Sequence, residues 1–159
     1  MKTAVRIVSG VCLAAVTGMI LVLLWAGTGT KQKEFVPPDF DASAQTGTPA
    51  VTDGSWTRIH RDGMDFSAHL CGRITRNGDS ADVYFTNDSG NTVWLKLRIL
   101  DENDQILAET GLLKPGEYVR TVRFTKIPRS GAAIKLKIMA YEPETYYSAG
   151  AVTLHTTLD

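Results

Sequence analysis

The stretch TVWLKLRILDENDQILAETGLLKPGEYVRTVRF, residues 92–124, decides the fold. Val93, Leu95, Leu97 and Ile99 alternate with Trp94, Lys96 and Arg98. A period of two sets one face of a strand against a core and the other toward solvent. DEND (101–104) collects turn formers, and QILAETGLL (105–113) is a second apolar run. KPGE (114–117) then places Pro115 and Gly116 at the two central positions of a type II turn, the second of which needs a positive φ. YVRTVRF (118–124) resumes the alternation. Strands joined by such short turns pair antiparallel, because a parallel pair needs a crossover of a dozen residues or more.

The same text continues on both sides. FSAHLCGRIT (66–75) alternates Phe66, Ala68 and Leu70, and RNGD follows, in which Asn77-Gly78 is a strong hairpin signal. SADVYFT (80–86) puts Ala81, Val83 and Phe85 on one face, and NDSGN is a loop. AAIKLKIMAY (132–141) sets Ile134, Leu136 and Ile138 against Lys135 and Lys137, and SAGAVTLHTTL (148–158) is the last strand. Seven short strands without an amphipathic helix predict an all-β domain over 55–159, an antiparallel β-sandwich of immunoglobulin-like or fibronectin-III-like topology. The paired cysteines of antibody domains are missing: Cys12 lies in the apolar N-terminal run, and Cys71 stands alone in the rest.

That N-terminal run, Ile7–Ala26, is 20 residues without a charge. As a helix it reaches about 30 Å, the thickness of a bilayer core. Lys2 and Arg6 precede it, and Trp25 sits at its far end, where an indole suits the interface. The expected organisation is a cytoplasmic tail (1–6), a transmembrane signal anchor (7–26), a flexible Pro/Gly/Thr linker (27–54) and an extracytoplasmic domain (55–159). The competing reading is a cleaved signal peptide with its small-x-small site at Gly27-Thr28-Gly29, though such peptides have shorter apolar cores. In the linker, FVPPDFDASA carries Phe35 and Phe40, which a plain spacer does not need; docking on the domain's own edge is expected of them.

Charge excludes one class of partner. The chain has 17 basic and 17 acidic residues; Lys2 and Arg6 are the only charges in 1–26, so 27–159 holds 15 bases against 17 acids. A nucleic-acid binder needs a basic excess, so none is expected as a partner.

ADVYFTN, VWLKLRILDE, ETGLLKPGEYV, KIMAYEPETYYSAGAVTLHTT and the linker's PPDFDASAQTGTP resemble a group of small, single-span envelope proteins of Gram-positive bacteria. The resemblance covers roughly 35–159 and implies location at the cell membrane and a β-sandwich fold. These motifs are strand-and-turn text and imply no activity.

The candidate contact residues fall into two groups. YEPETYY brings Tyr141, Glu142, Glu144, Tyr146 and Tyr147 to one strand connection. As a glycan site, the rings would stack and the glutamates accept hydroxyl hydrogen bonds; as a plain turn, the rings pack on the sandwich end. A glycosidase pair is not expected, because its carboxylates face each other across a cleft. The second group is Trp94, Lys96, Arg98, Lys135 and Lys137, with Arg123, on the polar faces of three strands. If these strands share a sheet, they make a basic stripe fit for an anionic wall polymer or a partner protein; otherwise they keep the surface soluble and discourage edge pairing. Trp94 among cations is an interface feature, unless Trp56 or the Phe35/Phe40 tether covers it.

His69 and Cys71, at i and i+2 beside Ser67, lack the third group and active-site segment of a Cys–His enzyme, and with only His60 and His155 to recruit they make a poor metal set. No catalytic residue, metal or cofactor is therefore expected. Asn87-Asp88-Ser89 fits a glycosylation sequon. The functional expectation is a membrane-anchored, non-catalytic module that docks a partner protein of an envelope assembly, with a glycan- or wall-polymer-binding module as the alternative.

Overall fold

A computed structural model describes residues 35–51, 56–60 and 63–159. The chain divides into two compact units, Met1–Val36 and Pro37–Asp159. The expected tail, anchor and first part of the linker lie outside the described residues. Among the described residues no helix is long and apolar enough to cross a membrane.

The Pro37–Asp159 unit is all-β. Its strands are β1 (Gln45–Thr46), β2 (Trp56–Ile59), β3 (Ala68–Cys71), β4 (Thr75–Asn77), β5 (Ser80–Asn87), β6 (Trp94–Leu100), β7 (Ile106–Glu109), β8 (Glu117–Arg123), β9 (Ala133–Tyr141) and β10 (Ser148–Thr157). They form two antiparallel sheets: β1-β8-β5-β3-β2, with β4 also on β5, and β10-β9-β6-β7. One core lies between them, as in a β-sandwich. Leu70, Val83 and Phe85 from the first sheet and Leu95, Leu97, Ile99 and Ile138 from the second are fully buried. Each such side chain contributes about 1.5–3 kcal/mol by leaving water.

Most strands fall where the alternation sets them, and the turns follow their chemistry. Glu117 N–H donates to the Lys114 carbonyl at 3.0 Å with Gly116 at φ 79°, as a type II turn requires. The β4–β5 hairpin pairs Asn77 with Ser80, so its two loop residues are Gly78, at φ 65°, and Asp79, one position later than the Asn77-Gly78 reading. The expected strand 66–75 is broken into β3 and β4, because Ile74 leaves the sheet to bridge Leu158. An extra residue in β5 shifts its register between Asp82 and Phe85 and puts Tyr84 at φ 46°. The Trp56 indole N–H meets the Tyr84 carbonyl there at 3.1 Å.

The folded unit begins earlier than residue 55. Asp41 N–H donates to the Leu112 carbonyl at 3.0 Å, and Leu112 N–H to the Asp39 carbonyl at 2.9 Å. The Asp41 carboxylate accepts from Gly111 N–H at 2.8 Å. A glycine is needed opposite: a Cβ on Gly111 would stand 2.4 Å from Asp41 N. Five residues on, β1 pairs with β8. Part of the segment expected to be linker is thus fastened to the sheets by backbone bonds that composition does not reveal.

Asn87 is fully buried where the two sheets meet. Its amide donates to the carbonyls of Val93 and Leu113, each at 2.9 Å, and its oxygen accepts from Asn91 at 2.6 Å. The sequon reading fails on this burial, since a glycan needs an exposed asparagine.

Candidate functional site

The β6–β9 register gathers the sequence candidates on one face. Trp94 lies opposite Tyr141, Lys96 opposite Met139, Arg98 opposite Lys137 and Leu100 opposite Lys135. The inward positions of both strands fill the core, so these side chains share the outer face of the β10-β9-β6-β7 sheet.

At one end of this face the aromatics meet. The Trp94 ring is T-shaped to Phe40, with centroids 4.8 Å apart, and to Tyr146 at 5.2 Å. Lys114 Nζ stands 4.8 Å over the Phe40 ring, and the Tyr141 hydroxyl donates to the Met139 sulfur at 3.7 Å. The cover expected for Trp94 therefore comes from Phe40 and Tyr146, not Trp56. Phe35 lies in the other unit and is exposed.

The YEPETYY connection is a closed loop. Tyr146 N–H donates to the Glu142 carbonyl at 3.0 Å, and Glu142 N–H to the Tyr147 carbonyl at 2.8 Å. Glu144 and Tyr146 sit at φ 65° and 57°, a region non-glycine residues enter at a cost of about 1–2 kcal/mol. For Tyr146 the packing on Trp94 offsets that cost. Glu142 and Glu144 are exposed, and Tyr147 is 75% exposed. The two glutamates do not face each other across a cleft formed by different elements, which leaves the geometry of a glycosidase pair unmet.

The cations divide. Lys96 is only 7% exposed and reaches Glu109 at 3.1 Å, while Arg98 meets the same carboxylate at 2.8 Å. Partial burial pushes the Glu109 carboxyl up, but hydrogen bonds from Arg98 and Lys96, together with their charges, outweigh it and hold it below the ordinary value. Lys135 pairs with Asp104 at 2.8 Å, and the hydrogen bond it donates lowers the Asp104 carboxyl. Lys137 has no ion pair among the described residues. Arg123 does not belong to this face; it lies on β8 of the other sheet, paired with Asp79 at 3.0 Å. The expected stripe is thus a largely neutralised cluster, in which Lys137 makes no direct ion pair among the described residues but adds its charge to the pull on Asp104. Glu109 and Asp104 escape sequence reading, because the β6–β7 register is what sets Glu109 beside Arg98, and the β6–β9 register is what brings Lys135 to the turn that carries Asp104.

On the other sheet, Trp56 stacks on His69 with centroids 4.2 Å apart. The two line a pocket of about 300 Å³ with Thr86, Asp88 and Ser89. His69 Nδ1 lies 4.0 Å from the Asp88 carboxylate and has no hydrogen-bond partner among the described residues. Burial lowers the His69 pKa, Asp88 opposing and Arg58 reinforcing that shift. Cys71 shares the strand but is buried. No group of three or more metal-ligating side chains occurs among the described residues.

Compared with protein-family models and with curated proteins, the chain matches none.

Proposed function

We propose that the chain is a single-pass protein of a Gram-positive cell envelope, anchored by residues 7–26 with its N-terminus inside. In this reading the β domain is extracytoplasmic and docks a partner protein without catalysis. The resemblance of 35–159 to small single-span envelope proteins supports the location, and the 20 uncharged residues of Ile7–Ala26 support the anchor. A fibronectin-III-like connectivity is supported by the strand order, in which short β7 extends the sheet of β10, β9 and β6.

The observation that carries the docking reading is the aromatic seat around Trp94. T-shaped contacts from Phe40 and Tyr146 on two sides break up the flat surface on which a sugar ring stacks. What remains is a packed aromatic base with exposed Tyr147 and exposed glutamates on the same connection, an aromatic centre with a polar rim as at protein interfaces. The glycan or wall-polymer alternative rests on Tyr147, an exposed ring, and on Lys137, a cation without a direct ion pair among the described residues. No nucleic acid enters either reading.

The test uses membranes carrying the full-length chain with a photoreactive residue at Tyr147. Docking predicts a discrete protein adduct. A ladder removed by wall-digesting enzyme instead supports the polymer alternative. No adduct of either kind refutes both.

A further inference from the structure

β10 pairs with β9 along one side, and among the described residues no strand pairs with its other side. Which backbone groups face that open side follows from the ladder. Leu95 exchanges both hydrogen bonds with Leu113, and Thr110 N–H donates to the Leu97 carbonyl, so odd residues of β6 face β7 and even residues face β9. Carried through the pairs Arg98–Lys137 and Leu136–Leu154, the same alternation turns the even residues of β10 toward β9. Ala151, Thr153, His155 and Thr157 therefore hold their N–H and C=O groups toward the open edge. The next odd residue shows such an edge engaged: Asp159 N–H donates to the Ile74 carbonyl at 3.0 Å, and its carbonyl accepts from Arg76 N–H at 2.9 Å.

Proteins blunt exposed edges with lysine, proline or very short strands. β10 is ten residues long, has no proline, and carries no ionisable side chain but His155. Beside it, between β10 and the β2–β3 edge, lies an apolar cleft of about 200 Å³ lined by Ile59, Leu70, Leu136 and Leu154. On the outer face Thr153 neighbours Lys137, the lysine without an ion pair among the described residues.

We propose that β10 is an acceptor edge for an extended segment of a partner protein, added as a further strand. Alternation along the added strand sends every second side chain to the cleft and the others to the outer face. The cleft selects apolar residues, and Lys137, reaching past Thr153, selects acidic ones. A second copy's β10 fits less well: it brings no acid to Lys137, and its inward Val152 is already buried in its own core. The edge is separate from the aromatic seat, and this inference stands without it.

The full-length chain in detergent is titrated with two fluorescent decapeptides, one alternating valine with glutamate and one alternating valine with lysine. The glutamate peptide is expected to bind about tenfold more tightly. At saturation it slows amide exchange at Ala151, Thr153, His155 and Thr157. Thr153→Pro, which removes one edge-facing N–H while leaving the β9 side intact, weakens it by about tenfold. Lys137→Glu, on the outer face opposite Thr153, reverses the preference between the peptides. The proposal is overturned by no binding of either peptide, by binding that leaves the four amides unprotected, or by equal affinities. Protection that rises with protein concentration without peptide assigns the edge to a second copy and overturns it too.

Discussion

Gly111→Ala tests whether the segment 39–46 is part of the fold or only rests on it. The new Cβ would stand 2.4 Å from Asp41 N, 2.5 Å from Asp41 Cα and 2.7 Å from the Phe40 carbonyl carbon. All three are backbone atoms, so no side chain can swing aside. Gly111 itself is not in the left-handed region, so alanine adds no torsional strain there and the clash acts alone. Either the strands shift or the segment lifts. Lifting loses the Gly111–Asp41 carboxylate bond, two backbone bonds and the Phe40–Trp94 contact. Overpacking of this kind costs roughly 1–3 kcal/mol, and each lost hydrogen bond about 1 kcal/mol. A loss of about 2–3 kcal/mol is therefore expected, or a fall in melting temperature of roughly 8–12 °C for a domain of this size. Denaturant unfolding measures the loss, and amide exchange at Leu112 reports the segment directly. A melting temperature within about 1 °C of the parent, with Leu112 still protected, would refute the close-approach account.

Three further outcomes are expected. Asn87→Ala leaves the Val93 and Leu113 carbonyls and the Asn91 amide without their shared partner, and should cost about 2–4 kcal/mol in urea unfolding. Glu109→Gln should flatten the acid limb of stability: its depressed carboxyl stabilises the fold above the unfolded value and loses that contribution as pH falls through the folded one, so the variant differs most from the parent at neutral pH and converges with it once pH is below the lowered folded value. His69→Gln should act on the next window. With its pKa lowered by burial, the parent loses stability as pH drops below about 6.5, and melting curves at pH 7.5 and 5.5 should show less of that loss in the variant.

The strands were legible because their alternation is local. Val93 to Ile99 and Ile134 to Ile138 state which face is inward, and the turns at Lys114–Glu117 and Asn77–Ser80 carry their own chemistry. What depends on register was not. Glu109 answers Lys96 and Arg98 only once β7 is laid beside β6, and Phe40 finds Trp94 only because Gly111 admits the backbone of a segment seventy residues earlier. Trp56 against His69 belongs to the same kind, a stack across strands. Asn87 was misread for a related reason: a three-residue motif says nothing of burial.

The Asn87 clamp also bears on how the unit reaches and keeps its native state. Hydrogen bonds to Val93 and Leu113 join the sheets at a place where a covalent cross-link would need an oxidant. An amide clip forms as soon as the strands meet and re-forms after every opening. The folding rate is then set by non-local strand pairing, in the millisecond-to-second range of β topologies, and not by thiol chemistry of seconds to hours. Reducing and oxidising surroundings should give the same native unit at the same speed.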